Sequence, residues 1–302
     1  MKVRFLLNPH TQTFMGIQLN HSKVQRLFKK KMGQANHFLI TILIGLDEVG
    51  KGTVKKPDSL DAAWNPKDTK ASVIRSREFA LNSSLVWIID NFDAYVQNCK
   101  RKPRLIEKKD LLSDLDSADR RVNDKFAVLF NRYKSSEQIK LYGALLALGI
   151  QWRNITTHSE AKNVLDEEFV KILLDNKEWY YTNFCHLAID AALDHFNAHK
   201  SPSLKETTSI IKAVLKFIEL VDTELIRELD TERYLSELFE EHFSIEEKQK
   251  DKRALILTLT KERQKSMVKN ILLSNGYTYT DGSDGFDIDD EFLNKYLTYP
   301  TK

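Results

Sequence analysis

Leu81-Asn82-Ser83-Ser84-Leu85-Val86-Trp87-Ile88-Ile89-Asp90-Asn91-Phe92-Asp93-Ala94-Tyr95 is the stretch that decides the fold class. Leu81, Leu85, Ile88, Phe92 and Tyr95 recur at spacings of three and four, which puts them on one stripe of an α-helix. The helix is expected to start near Lys70 and to stop before Pro103. The same periodicity continues downstream. A second helix is expected over roughly Ser117 to Lys134, burying Val122, Phe126, Leu129 and Tyr133, and a third over Ser136 to Arg153, burying Leu141, Leu145, Leu148 and Trp152. Val164 to Leu174 reads as helical, and Glu178 to Ala198 as one further helix with Phe184, Leu187 and Ala191 on a stripe. Pro202 interrupts the chain. Ser203 to Leu229 is then amphipathic through Ile210, Val214, Phe217 and Val221, and Thr231 to Phe243 forms another helix. Short loops between such helices favour antiparallel neighbours in a bundle.

The flanks read differently. Lys2 to Leu7 and His37 to Leu46 are short apolar runs that fit either a strand or a buried helix, and periodicity does not separate the two. Gly50 to Pro66 is polar and rich in Gly and Pro, a loop signature. The tail from about Glu246 begins as a charge-rich helix. Tyr277 to Ile288 reads as a hairpin around Asp281-Gly282-Ser283-Asp284-Gly285, with a short helix after it. The expected architecture is therefore all-α: a helical bundle over residues 67–245, with small accessory segments at 1–66 and 246–302 to which any short strands are confined.

Composition agrees with this. Ten glycines and six prolines in 302 residues are few, which favours helix over a turn-rich β fold. A net charge of +3 is too small to indicate a nucleic-acid partner by itself, although a local basic patch can still hold phosphate. Two cysteines, Cys99 and Cys185, fit buried thiols in a reducing compartment, and the expected location is the cytoplasm. The longest apolar run, Phe38 to Leu46, is less than half of a membrane span.

Chemistry concentrates in Arg153-Asn154-Ile155-Thr156-Thr157-His158. An arginine offers a rigid fork of donors for phosphate, and a histidine transfers protons near neutral pH. Five residues apart on an unbroken helix, the two side chains would not share a face. However, Thr157 with Glu160 matches a capping box that would start a new helix at His158. Arg153 would then close one helix and His158 open the next, where the dipole lowers the imidazole pKa and the exposed amides attract phosphate. RNA carries its own nucleophile, the 2′-hydroxyl, so such a site needs only proton transfer and fixed positive charge. The Arg-x(4–6)-His spacing is cheap, since Arg4 and His10 also satisfy it. What distinguishes Arg153 is the amide beside it and its place after an apolar helix.

Over roughly residues 70–245, the Arg-Asn-x-x-x-His pattern in a multi-helix chain resembles the HEPN superfamily of helical ribonucleases. The resemblance implies a bundle that dimerises through the motif region and cuts RNA without a metal or other cofactor, leaving a cyclic phosphate. Arg153, Asn154 and His158 would be the catalytic residues, and one motif per chain makes a two-fold homodimer the natural way to supply a second histidine. It also implies a toxin or anti-phage effector, with an antitoxin or defence-system partner. The family tends to place a polar residue on an earlier helix near the site; Glu78, Asn91 and Asp93 are the candidates here. Two other readings stay open: a non-catalytic RNA- or nucleotide-binding module of the same type, and a structural helical interaction protein in which Arg153 and His158 cap helices.

Other constellations rank lower. Gly45 to Thr53 approaches a phosphate-binding loop, but Gly52 stands where Ser or Thr is required, and a turn is the better reading. His195 and His199 are four apart on an expected helix face, a zinc-like spacing without the accompanying glutamate. Asp281, Asp284, Asp287, Asp289 and Asp290 lack the spacing of a calcium loop. Lys29-Lys30-Lys31, Lys100 to Arg104 and Lys248 to Arg253 are basic runs able to touch RNA backbone. Trp64, Trp87, Trp152 and Trp179 read as core or interface residues.

Overall fold

The computed structural model describes residues 17–118, 121–157, 163–244, 253–279 and 288–297. It is an all-α protein with a single two-stranded ribbon among these residues. In chain order they form β1 (Ile17–Leu19), α1 (Lys23–Gly50), α2 (Thr69–Cys99), α3 (Lys109–Ser117), α4 (Val122–Tyr133), α5 (Glu137–Thr157), α6 (Glu167–Asp175) and α7 (Lys177–Asn183). After these come α8 (Ile189–Asn197), α9 (Leu204–Arg227), α10 (Thr231–Ser244), a short helical segment α11 (253–257), α12 (Lys261–Ser274), β2 (Tyr277–Tyr279) and α13 (Asp290–Leu297). The chain divides into two compact units, residues 28–94 with 118–218 and residues 1–27 with 95–117 and 219–302.

The first unit carries the motif. His37 to Leu46 is neither a strand nor a short helix but part of α1, whose Leu39 and Leu43 cluster with Ala80 and Leu81 of α2. This is the α-helical alternative that a short apolar run leaves open, because its outward residues Phe38, Ile40, Ile42 and Ile44 remain exposed and blur the amphipathic pattern. All the residues expected on the α2 stripe are buried, as are Leu141, Leu145, Leu148 and Trp152 of α5. Phe92, Phe126, Phe130, Phe169 and Phe217 form an aromatic core with centroid separations from 5.0 to 6.4 Å, drawn from α2, α4, α6 and α9.

Glu178 to Ala198 is not one helix. It breaks into α7 and α8 at Phe184–Ala188, where Cys185 and His186 adopt left-handed backbone with φ of 52° and 63°. The cause is packing. Phe184 is buried beside Tyr142, Trp179 and Tyr180, and two consecutive left-handed residues end the helix to keep it there.

In the second unit β2 pairs antiparallel with β1, Ile17 opposite Tyr279 and Leu19 opposite Tyr277. Among the described residues the partner of Tyr277 is thus a strand from near the other end of the sequence; the expected hairpin around Asp281 to Gly285 lies outside the described residues, as does Lys2 to Leu7. Gly276 turns the chain into β2 at φ +99°, where a Cβ would stand 1.9 Å from the His21 carbonyl oxygen, so only glycine fits. Ser22 caps α1 by accepting from the Gln25 N–H at 3.0 Å. Its own N–H and hydroxyl donate to the two oxygens of Asp222, at 2.9 and 2.5 Å, and the Tyr95 hydroxyl donates to the same carboxylate at 3.1 Å. Asp222 is fully buried among neutral partners, and burial raises its carboxyl to about 6 against the opposing pull of these hydrogen bonds. Elsewhere in the unit Glu237 of α10, also buried, accepts from the Nε, Nη2 and backbone N–H of Arg104 and faces Arg233 at 2.8 Å.

Two consequences are measurable. A Cβ at Gly143 of α5 would lie 2.7 Å from the Phe130 ring, whereas at Gly33 of α1 it would meet open space. Gly143→Ala is expected to destabilise by ~1–3 kcal/mol through overpacking, and Gly33→Ala to stabilise by ~0.5–1 kcal/mol through helix propensity. Opposite shifts in urea midpoint are the check.

The second consequence concerns acid. Because the folded Asp222 value lies above the unfolded one, its proton-linked stabilisation is complete below pH ~4 and lost as pH rises through about 6. Relative to Asp222→Asn, the native chain should gain up to ~3 kcal/mol on acidification across that window. Parallel stability profiles of the two proteins from pH 7 down to 4 would rule this out.

Candidate functional site

Arg153 sits where the buried helix α5 reaches solvent. The preceding residue, Trp152, is the last fully buried one; its indole N–H donates to the Lys200 carbonyl at 2.8 Å and its ring lies edge-on to Phe196. One residue later the Arg153 side chain is 22% exposed. Its Nη2 donates to Asp90 Oδ1 at 2.8 Å and its Nη1 to Asn154 Oδ1 at 3.2 Å, while its Nε is buried without a hydrogen-bond partner. The guanidinium is therefore gripped from two sides, by a carboxylate of α2 and by the neighbouring amide.

The helix does not end at Arg153. α5 continues for one more turn to Thr157, whose hydroxyl donates back to the Arg153 carbonyl at 3.0 Å. Thr156 makes the equivalent bond to Trp152. His158 and Glu160 lie outside the described residues. Two of the three expected catalytic residues, Arg153 and Asn154, are thus brought together.

The carboxylate of α2 that bonds Arg153 is Asp90, which was not among the expected candidates Glu78, Asn91 and Asp93. Asn91 is turned away, its Nδ2 donating to the Trp87 carbonyl at 2.8 Å. Asp93 lies one turn along the same face as Asp90 and accepts from the buried Lys125 of α4 at 2.7 Å. Gln151 of α5 donates to Asn123 of α4 at 3.0 Å. The alternation of Ile88 and Ile89 inward with Asp90 outward is visible in the sequence; the position of α5 across from it is not.

Beside the ion pair α2 and α5 enclose an open cavity of about 510 Å³. Phe79, Asn82, Ser83, Val86, Trp87 and Asp90 of α2 line it together with Thr156 of α5. Trp87 is 51% exposed and Phe79 74%, so of the two readings of Trp87, core or interface, the core one does not hold. Trp152 and Trp179 do join buried or aromatic clusters.

The lower-ranked constellations resolve simply. Gly45 to Gly50 is helical, so its amides are bonded internally and cannot cradle a phosphate; the turn is confined to Lys51 and Gly52. His199 lies beyond the end of α8 with φ 53°, so it does not share a helix face with His195, which instead bonds Glu206 at 2.9 Å. Cys99 is buried, which raises its thiol pKa well above the usual value, whereas Cys185 is exposed rather than buried. No group of residues arranged to hold a metal ion occurs among the described residues, and no helix there is long and apolar enough to cross a membrane. Comparison with protein-family models, curated proteins and solved structures finds no match to this chain.

Asp90 and Arg153 form a partly exposed pair, for which solvent screening limits the energy to ~0.2–1 kcal/mol. Asp90→Ala should accordingly lower stability by no more than ~1 kcal/mol in denaturant unfolding. A larger loss would make the pair a structural strut rather than a device for placing the guanidinium.

Proposed function

We propose that this chain is a metal-independent endoribonuclease of HEPN type. In this reading Arg153 holds the scissile phosphate, Asn154 orients the guanidinium, and His158 moves the proton as the 2′-hydroxyl attacks. The observation that carries the reading is the partly exposed Arg153 fork. It is clamped between Asp90 and Asn154 at the edge of a cavity and lies five residues before His158. Such clamping supplies fixed positive charge in one orientation, which is what phosphoryl transition states reward. Two copies joined about a two-fold axis at the motif region would present two histidines, one for each proton transfer. The corresponding role is that of a toxin or defence effector, regulated by an antitoxin or a partner of the same system.

A second reading has one observation in its favour. The Asp90 carboxylate at 2.8 Å already neutralises much of the Arg153 charge, which suits a module that grips RNA or a nucleotide without cutting it.

Incubation of the purified chain with RNA in EDTA separates the two. The expected result is cleavage with cyclic-phosphate ends, reduced ~10²–10⁴-fold in His158→Ala and ~10²–10³-fold in Arg153→Ala. Cleavage that disappears in EDTA, or survives both substitutions, defeats the ribonuclease. RNA binding without cleavage selects the module.

A further inference from the structure

The hairpin of α1 and α2 carries a surface that the core of its unit leaves open. Nine of the seventeen large apolar side chains exposed among the described residues lie in residues 28–79, so apolar exposure is concentrated there rather than scattered. Its centre is the second half of α1. Phe38, Ile40, Ile42 and Ile44 are each 45–60% exposed, while Leu39 and Leu43 are covered in the cluster with Ala80 and Leu81 of α2. Residues two apart on a helix point ~160° away from each other. Phe38 and Ile42 therefore stand on one flank of the contact with α2, and Ile40 and Ile44 on the other.

Charge follows the same boundaries. No Lys, Arg, Asp or Glu occurs from Met32 to Leu46. Immediately before that stretch stand Lys29, Lys30 and Lys31, all exposed and without an acidic partner among the described residues. Three consecutive positions span ~200° of a helix, so these lysines collar α1 rather than marking one face. The acidic groups beyond the stretch are already neutralised, Asp47 by Arg77 and Glu48 by Lys51. Over residues 28–79 ten Lys and Arg stand against six Asp and Glu, a net charge of +4 where the whole chain carries +3. The positive charge of the protein and its exposed apolar surface thus coincide.

Whatever covers this surface has to be anionic, apolar beneath, and able to reach two flanks of one helix. A second copy of the hairpin would bring another +4 and be repelled. A nucleic acid supplies the anion but nothing that shelters isoleucine. A folded protein presents one face of fixed shape, and covering one flank with it leaves the other in water. A bilayer with anionic headgroups meets all three demands, because it is fluid and closes round an immersed helix while lysines reach out to its phosphates. Thr41 lies on the outermost strip between the two flanks, and its hydroxyl already donates to the His37 carbonyl at 2.9 Å, so immersion strands no donor there. The uncharged stretch is ~22 Å long against a hydrocarbon core of ~30 Å, so the helix would lie along the surface and not cross it.

We propose that the second half of α1 is a peripheral membrane anchor. It inserts Phe38, Ile40, Ile42 and Ile44 among anionic phospholipids and holds their headgroup phosphates with Lys29, Lys30 and Lys31. The anchor is independent of the ribonuclease reading, since neither Arg153 nor His158 takes part in it.

The test is co-flotation of the full chain with vesicles of equal parts phosphatidylglycerol and phosphatidylcholine, beside vesicles of phosphatidylcholine alone. The native chain should bind the mixed vesicles, bind the neutral ones poorly, and lose affinity as salt is raised. Phe38→Ser is expected to weaken binding roughly tenfold or more, with Phe38→Leu close to the native chain, which separates lost insertion from lost fold. Replacing Lys29, Lys30 and Lys31 together by Ala should weaken it on the order of a hundredfold. Equal binding by Phe38→Ser and the native chain overturns the proposal, as does equal binding to the two kinds of vesicle or binding to neither. A native chain that ignores vesicles and sediments as a heavier particle than Phe38→Ser overturns it in favour of a contact between two copies. RNA cleavage is assayed without lipid, so failure of the enzyme leaves the anchor standing and failure of the anchor leaves the enzyme.

Discussion

A helix buried on almost every side can display polar chemistry only where it comes out of the core, and α5 is such a helix. Ile139, Leu141, every residue from Gly143 to Ile150, and Trp152 are buried. Burial all round demands close neighbours, and the two glycines provide the room. A Cβ at Gly143 would run into Phe130, and one at Gly149 would stand 2.6 Å from Ile210. The helix axis is therefore fixed by side chains of α4 and α9 closing over bare backbone. Its end is fixed too, because the Trp152 indole is pinned to the Lys200 carbonyl. Arg153 is the next residue, and its position follows from the packing before it. Asp90 arrives by the same logic on α2, directly after the buried pair Ile88 and Ile89.

The second unit shows how the surroundings of a buried carboxylate decide its charge. Asp222 is met by the Ser22 N–H and by two hydroxyls, all neutral, so burial dominates and its proton is held more tightly. Burial also works against charge on Glu237, but the hydrogen bonds of Arg104 and the charge of Arg233 outweigh it and hold that carboxyl below its ordinary value. Buried ion pairs of this kind stabilise little by themselves, yet removing one partner strands the other. Glu237 ties the segment after α2 to α10, while Asp222 ties the cap of α1 to α9. Each carboxylate joins segments far apart in the chain, which short-range sequence patterns do not register.

The helices legible in the sequence were those with apolar residues recurring at every third or fourth position over several turns. The α2 stripe from Leu81 to Tyr95 and the α9 stripe from Ile210 to Val221 are buried as their spacing predicts. Legibility failed where tertiary contacts overrode local pattern. Phe38 to Leu46 has apolar residues on both its covered and its open side, so no period stands out, and only Leu39 and Leu43 meeting Ala80 and Leu81 mark the inner face. The break at Cys185 has no Gly or Pro to announce it; it is enforced by where Phe184 must lie. β1 and β2 are three residues each and find one another across almost the whole chain. At the candidate site, Arg153 and Asn154 were readable as a pair, because adjacency in sequence is adjacency in space. Asp90 was not, since Asp90, Asn91 and Asp93 are equally polar and only the placement of α5 against α2 chooses among them.

That choice bears on how the proposed site would handle phosphate. A guanidinium has five N–H donors in a rigid fork, and here Asp90 and Asn154 engage one each from the two terminal nitrogens. A phosphate oxygen reaching the guanidinium would therefore not have to displace the carboxylate; donors remain on the same nitrogens. Free arginine side chains carry ~2 kcal/mol of rotamer entropy, which a ligand must otherwise overcome on binding. In this chain the clamp has already suppressed that freedom. The cost is a diminished field, because a carboxylate at 2.8 Å offsets part of the positive charge that a phosphorane would feel. Asp93 is spared for Lys125, so a single carboxylate of this turn of α2 bears on the fork. Orientation at reduced charge favours discrimination among anions by geometry over sheer affinity.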